Sequence, residues 1–419
     1  MKMQRGLRCL WLVVIYSWLL GGCGSLAKGI FPAHPPPATT TIVGSAMPTP
    51  FVPPFVAGLE LPQGFEITVI AKGLQEPRMM ALGPDDLIYV AEMVTSRARQ
   101  GRVSRFDPQT RVLEEVVTVG LRNPSGLAFD EVGNLYVANE ERVVRYAYKY
   151  NEHLEKQEFV KVVEVVISEL PAGRGHSTRT IVFTPDYEAL LVSVGSSCNV
   201  CLERDERRAA VLRYPATHVT STQGITSTSY GAEEIYVSGV RNAVGLAFRP
   251  GTEELWLTNC ERTWLGDELP TESIYKIEEQ CSLGWPGCHV GNIVDPDFGD
   301  KGACRGMITP AVSLPAHVKP LGLEFYTGTQ FPVKYRGDLF VALSGSWSRS
   351  TPQGYALWHI PVAENGEPEE PESFVRGWLR SDRTHAGRLV DVVTGADGSL
   401  YISDDENGFI YQLSYQEEP

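Results

Sequence analysis

Residues 173–194 read GRGHSTRTIVFTPDYEALLVSV: a glycine-flanked loop, an apolar strand, a turn at Pro185-Asp186 and a second strand. Glycine and proline punctuate the chain, and the aliphatic, β-branched runs between them suit a pleated, half-buried surface. Working outward, the same unit returns as EPRMMALGPDDLIYVAE at 76–92, NPSGLAFDEVGNLYVANE at 123–140 and RNAVGLAFRPGTEELWLTNCE at 241–261. It returns again as LGLEFYTGTQFPVKYRGDLFVALSG at 321–345 and GRLVDVVTGADGSLYISDD at 387–405, which makes six copies. Segments between them, such as RVSRFDP and VVRYAYK, alternate apolar and polar residues as half-buried strands do. Recurrence at roughly 45–85 residues, with no convincing long helix, predicts an all-β, six-bladed β-propeller. A four-stranded blade cannot bury both faces alone, and radial stacking solves that problem.

In such a ring the loops that enter the innermost strands converge at one face. That places Asn123, His176, Arg241, Asn242, Lys319 and Arg388 around one opening, a pocket for an anionic, oxygen-rich ligand. His176 has three readings: a general base, a metal ligand or a hydrogen-bonding cap, and no HxH or HExxH spacing accompanies it. Arg241-Asn242 pair a fork of donors with an amide that both donates and accepts, or they cap a turn. Arg388 holds the matching place in the sixth copy, and Arg349, in SGSWSRS, has a functional and a surface reading. Asp267 and Glu268, in WLGDELPTE, could hold calcium through oxygen ligands or form a solvated acidic loop.

The N-terminal segment is read separately from the fold. Lys2, Arg5 and Arg8 precede an apolar run from Cys9 to Leu20, the layout of an export signal over residues 1–23. Leu20-Gly21-Gly22-Cys23 resembles a bacterial lipobox, so lipidation at Cys23 and a lipid anchor to a membrane, periplasmic or at the cell surface, are expected. Residues 24–58 carry PPP, TTT, MPTP and VPP and read as a Pro/Thr-rich spacer, leaving 59–419 for the propeller. The chain has 37 basic and 51 acidic residues, a balance that argues against nucleic acid as a partner. Beyond Cys9 and Cys23 there are six cysteines, an even number that favours disulfides in an exported chain. Cys198-Asn199-Val200-Cys201 reads as a local disulfide; Cys288 with Cys304 and Cys260 with Cys281 are the simplest further pairs, other pairings of these four remaining open.

From about residue 60 onward the chain resembles the quinone-dependent soluble glucose/sorbosone dehydrogenases, most of all the L-sorbosone dehydrogenase branch. The matching motifs are GRGHSTRTIVFTPD with SVGSSCNVC, GVRNAVGLAF, LGDELP, GWPGCHVG, LPAHVKPLGLEFYTG, YRGDLFVALSGSWSRS, GRLVDV and DGSLYISDD. The resemblance implies a six-bladed propeller that carries pyrroloquinoline quinone (PQQ) with calcium and oxidises a sugar substrate, passing electrons to an external acceptor. It implies His176 as the base, Arg241, Asn242 and Arg388 at the cofactor, and Glu268 in a calcium-associated loop. The chain departs from the family pattern at Leu283, Ser344 and Ser348, where an aromatic, an imidazole and an amide are usual. Two other classes are compatible with a propeller: a calcium-dependent lactonase and a glycan- or protein-binding surface module.

Overall fold

The six sequence copies become the inner strands of six blades in a computed structural model, five of them four-stranded and antiparallel and the third widened to six strands by Thr226–Tyr230 and the parallel-paired Cys281–Ser282. The structure describes residues 53–94, 100–151, 156–220, 226–346 and 348–417, all within one compact unit, Gly44–Pro419. The export signal, Cys23 and most of the spacer lie outside the described residues. The innermost strands are Pro77–Leu82, Gly126–Phe129, Ile181–Phe183, Leu246–Phe248, Pro320–Phe325 and Leu389–Thr394, in blades 1 to 6. Each pairs antiparallel with the next strand of its own copy, as Gly126↔Ala138 to Phe129↔Leu135 in blade 2. Among the described residues only two short 3-10 turns, Val56–Gly58 and Val333–Tyr335, interrupt the strands, and no helix is long and apolar enough to cross a membrane.

The core lies between blades. In three of the copies the aromatic of the second strand meets the phenylalanine that ends the next blade's inner strand. Tyr89 packs on Phe129 at 5.0 Å between ring centroids, Tyr136 on Phe183 at 5.0 Å and Trp256 on Phe325 at 5.6 Å, all edge to face. Such pairs add about 0.5–1.5 kcal/mol beyond the area they bury. Blade 3, whose second strand is ALLVSV, uses Leu191 against Val237, Leu246 and Leu257 instead. Near the axis neighbouring inner strands almost touch. A Cβ at Gly126 would lie 2.3 Å from the Arg179 carbonyl oxygen, and one at Gly245 2.4 Å from that of Leu321. This close approach is why GLAF begins with glycine in both copies.

Blade 6 is built from both ends of the propeller sequence. Phe65–Lys72 forms its outermost strand and pairs with Phe409–Tyr415 from Phe65↔Tyr415 to Lys72↔Phe409. Phe65 sits edge-on to Phe331, Phe374, Tyr415 and Tyr335, at 4.8, 4.9, 5.1 and 5.5 Å. The packed chain begins slightly earlier than the expected boundary at 59: Val56 is buried in the same cluster with Phe55 packed against it, apolar side chains that the spacer composition concealed.

Two expected disulfides are present, Cys198–Cys201 and Cys288–Cys304. The pairing of Cys260 with Cys281 is overturned, and both are free thiols. Cys260 is buried just past the second strand of blade 4, its Sγ donating to the Pro320 carbonyl at 3.3 Å. Cys281 pairs its backbone with Val237 at the outer strand of blade 3. The blade's own architecture therefore sends the two thiols to different places.

Candidate active site

A cavity of about 380 Å³ opens where the inner strands of blades 1, 3, 4, 5 and 6 begin. Of the residues the repeat brings together, His176, Arg241, Asn242, Lys319 and Arg388 line it, with Arg78, Glu261, Glu272, His317 and Asp405 completing its charged wall. The volume falls in the range of small-ligand pockets, about 300–1,000 Å³.

His176 is held from one side. Its Nδ1 lies 3.1 Å from both the carbonyl oxygen and the Oγ of Ser196, and the Ser196 hydroxyl itself donates to the Cys198 carbonyl at 2.6 Å. A carbonyl only accepts, so Nδ1 carries the hydrogen and Nε2 keeps its lone pair. Burial, then the neighbouring Arg241 charge, pull this imidazole down to about 3, so it stays neutral at ordinary pH. Gly195 lets it stand beside Asn242: a Cβ there would be 2.5 Å from Asn242 Oδ1 and 2.6 Å from His176 Cβ.

Arg241 is fixed by the same short loop. Its Nε donates to the Asn199 carbonyl at 2.9 Å, its Nη2 to Asn199 Oδ1 at 2.9 Å and its Nη1 to the Cys260 carbonyl at 2.8 Å. Three of its N–H groups are thereby used, and a guanidinium has five. Asn199, inside the Cys198–Cys201 disulfide, also accepts from Thr263 and Trp285. Asn242 donates its backbone N–H to Asn259 Oδ1 at 3.0 Å, while its own Oδ1 is buried without a hydrogen-bond partner. A buried acceptor left unpaired costs about 1–3 kcal/mol, which a ligand donor would relieve.

Asp405 ties two cations together, accepting from Arg388 Nε at 2.5 Å and Arg78 Nη1 at 2.7 Å. Glu272 is fully enclosed and accepts the Glu261 backbone N–H at 2.7 Å. Burial, together with the Glu261 charge, pushes its carboxyl up to about 8. Glu261 in turn leans on His289, at 3.2 Å from Nδ1, whose Nε2 reaches Asp295 at 2.8 Å.

Four expected side chains stand elsewhere. Asn123 does not line the cavity; it occupies a left-handed turn at φ 50°, a conformation asparagine tolerates, and donates to Glu140 at 3.3 Å. Arg349 also lies outside the cavity lining and clamps the 267–268 loop, donating to the Asp267 carbonyl and, at 2.6 Å, to Glu268 Oε1. Ser350 donates its backbone N–H to both Asp267 carboxylate oxygens at 3.1 Å. The Asp267 and Glu268 carboxylates therefore face Ser350 and Arg349, and this donor set does not present them to a metal. The acidic loop nevertheless adjoins the site, since cavity-lining His317 bonds the Gly266 carbonyl at 2.8 Å through Nε2. Among the described residues the one cluster with metal-ligand types is Cys198, Cys201 and Glu203, and its sulfurs are joined to each other.

Sequence reasoning missed the acids Glu261, Glu272 and Asp405. A signal for two of them exists: the copies at 241–261 and 387–405 end on Glu261 and Asp405, as those at 76–92 and 123–140 end on Glu92 and Glu140.

A family description, TrAA12-like, matches residues 59–268 and 258–416. The chain is 27% identical to an uncharacterised protein of Borreliella burgdorferi over 85% of this chain and 91% of that one. It is 25% identical to the pyrroloquinoline quinone-dependent pyranose dehydrogenase of Coprinopsis cinerea, over 58% of this chain and 40% of that protein. Among solved structures, the calcium structure of a Trichoderma reesei carbohydrate-active enzyme of family AA12 superposes with a TM-score of 0.67. The match has 20% identity and covers 85% of this chain and 97% of that one.

Proposed function

Because the chain belongs to the TrAA12-like family, we propose that it is a PQQ-dependent dehydrogenase of sugars. The observation that carries this reading is His176, a neutral imidazole whose Nε2 is left unprotonated, in one cavity with Arg241, Lys319 and Arg388. The residues present fit the cofactor. PQQ brings three carboxylates and a pyrrole N–H, for which the cavity offers four cations, counting Arg78, and the orphaned acceptor Asn242 Oδ1. Arg241, Asn242, Lys319 and Arg388 would hold it. When bound, the quinone supplies a two-electron acceptor for hydride.

The chain's own residues do the rest. His176 Nε2 takes the proton of a sugar hydroxyl as the C–H hydrogen leaves with its electron pair. Ser196 fixes the ring so that the lone pair is maintained, and Arg241, held by Asn199, is oriented without rotamer freedom. Arg388 sets a positive charge where an oxygen becomes more negative. L-sorbosone or an aldose is the substrate class, an external carrier receives the electrons, and a lipid on Cys23 places the domain at a bacterial membrane surface. No step is assigned to calcium, because Arg349 and Ser350 take the carboxylates expected to bind it.

The purified protein, titrated with PQQ with and without calcium, should change the cofactor's absorbance and then reduce an artificial dye with aldoses or sorbosone. Absence of both signals refutes the assignment. Retained glycan binding without either would favour a binding module, and quinone-independent lactone hydrolysis would favour a lactonase.

A further inference from the structure

The cavity wall contains a carboxyl that the reaction just described does not use. Glu272 opens the third strand of blade 4, Glu272–Ile277, and its side chain is enclosed between blades 4 and 5 while lining the cavity. The other wall carboxylates are committed. Asp405 is shared by Arg78 and Arg388. Glu261 accepts from Asn259 Nδ2 at 2.6 Å and faces His289 at 3.2 Å, and behind them Asp295 is engaged by His289 and Arg262. A carboxylate in such a chain accepts hydrogen bonds from the side chains around it. Glu272 has no ion pair among the described residues; its Oε2 accepts the Glu261 N–H.

We propose that Glu272 is a neutral carboxylic acid that acts as the cavity's proton donor, the acidic counterpart of His176. The groups facing it are Glu261 and Cys260 from the end of the second strand, Arg241 from the entry of blade 4 and Lys319 from the entry of blade 5. Burial, with the Glu261 charge, outweighs the Glu261 and Lys319 backbone N–H groups and the Arg241 charge, so the proton stays on Glu272 up to about pH 8. A base held unprotonated and an acid held protonated, in one enclosed site, divide acid–base work between them.

The inference rests on the proposed function, and its balance closes there. The sugar O–H bond breaks and an N–H bond forms at His176. With the quinone bound as the two-electron acceptor, the C–H hydrogen would leave with its electron pair, and Glu272 would release its O–H proton to balance the charge gained. The sugar has lost two electrons and two protons, and the acceptor has gained both. Imidazolium and carboxylate then face the same cavity, and transfer of the His176 proton to Glu272 restores both groups.

Infrared difference spectra of wild type minus Glu272→Gln, both without cofactor, should isolate a buried carboxylic C=O band that titrates near pH 8, apart from the bands of the enclosed Asp391 and Glu324 carboxyls that both proteins share. Glutamine keeps the accepting oxygen and the volume, so unfolding temperature and PQQ affinity should change little. In the loaded enzyme Glu272→Gln should lower kcat on the order of a hundredfold with KM for the sugar unchanged. It should also remove the fall of kcat above pH 8, and Glu272→Asp should restore part of the rate. A protein that binds the quinone but lacks the band overturns the proposal, as does a Glu272→Gln variant with unchanged kcat and alkaline limb. A protein that shows the band but oxidises no sugar overturns the function and the donor role with it.

Discussion

His176 shows how a single side chain is made into a base by its surroundings. Its folded pKa, about 3, lies below the ordinary imidazole value of 6.5, so the unfolded chain binds the proton more readily. This contribution to stability is therefore complete above pH 6.5 and is lost as pH falls toward 3. His176→Gln, which cannot charge, should lose less stability than the wild type between those values in urea titrations. In turnover, His176→Ala should lower kcat by about 10²–10⁴-fold while PQQ affinity holds within a few-fold. The wild-type kcat/KM should show no acid limb near 6.5. That this histidine faces a pocket was legible, because its place before a repeated strand fixes its direction. Glu272 was not: LPTESIYKI reads as an ordinary strand start, and its chemistry arises from enclosure by residues distant in sequence.

At the scale of elements, the Cys198–Cys201 loop is the organiser of the site. A three-residue separation closes too small a loop to constrain the unfolded chain much. Its value is local, since Asn199 inside it holds Arg241, Thr263 and Trp285, and the Cys198 carbonyl orients Ser196 against His176. Asn199→Ala should weaken PQQ binding by about tenfold, one lost charge-assisted hydrogen bond being worth about 1.5–3 kcal/mol, as read by cofactor titration. The Cys198→Ser, Cys201→Ser double variant should do likewise with little change in Tm. The CxxC was readable as a disulfide because no thioredoxin-like helix follows it. Its contact with Arg241, 42 residues on, belongs to the ring and has no local signature. The same holds for the pairing of the WLGDELP and SGSWSRS loops through Arg349 and Asp267, over 80 residues apart in sequence.

For the whole molecule, the six-fold count was the most legible feature, since each blade repeats the same turn–strand–turn–strand grammar. What the repeat hid is the join, because Phe65–Lys72 lies outside every copy and pairs across the closure of the ring. Phe65→Ala should cost about 3–5 kcal/mol, measured by denaturant unfolding, since it empties a ring of four aromatic neighbours on blades 5 and 6. That join also sets a schedule. A chain synthesised or threaded from its amino end offers Phe65–Lys72 first and must wait until Phe409–Tyr415 arrives at the far end of the propeller sequence. Until then Phe65–Lys72 has no strand to pair with and is open to a stranger's edge. The last strand, Phe409–Tyr415, is thus the clasp that ends this waiting period, and chains broken off before it should collect in aggregates rather than as five-bladed rings.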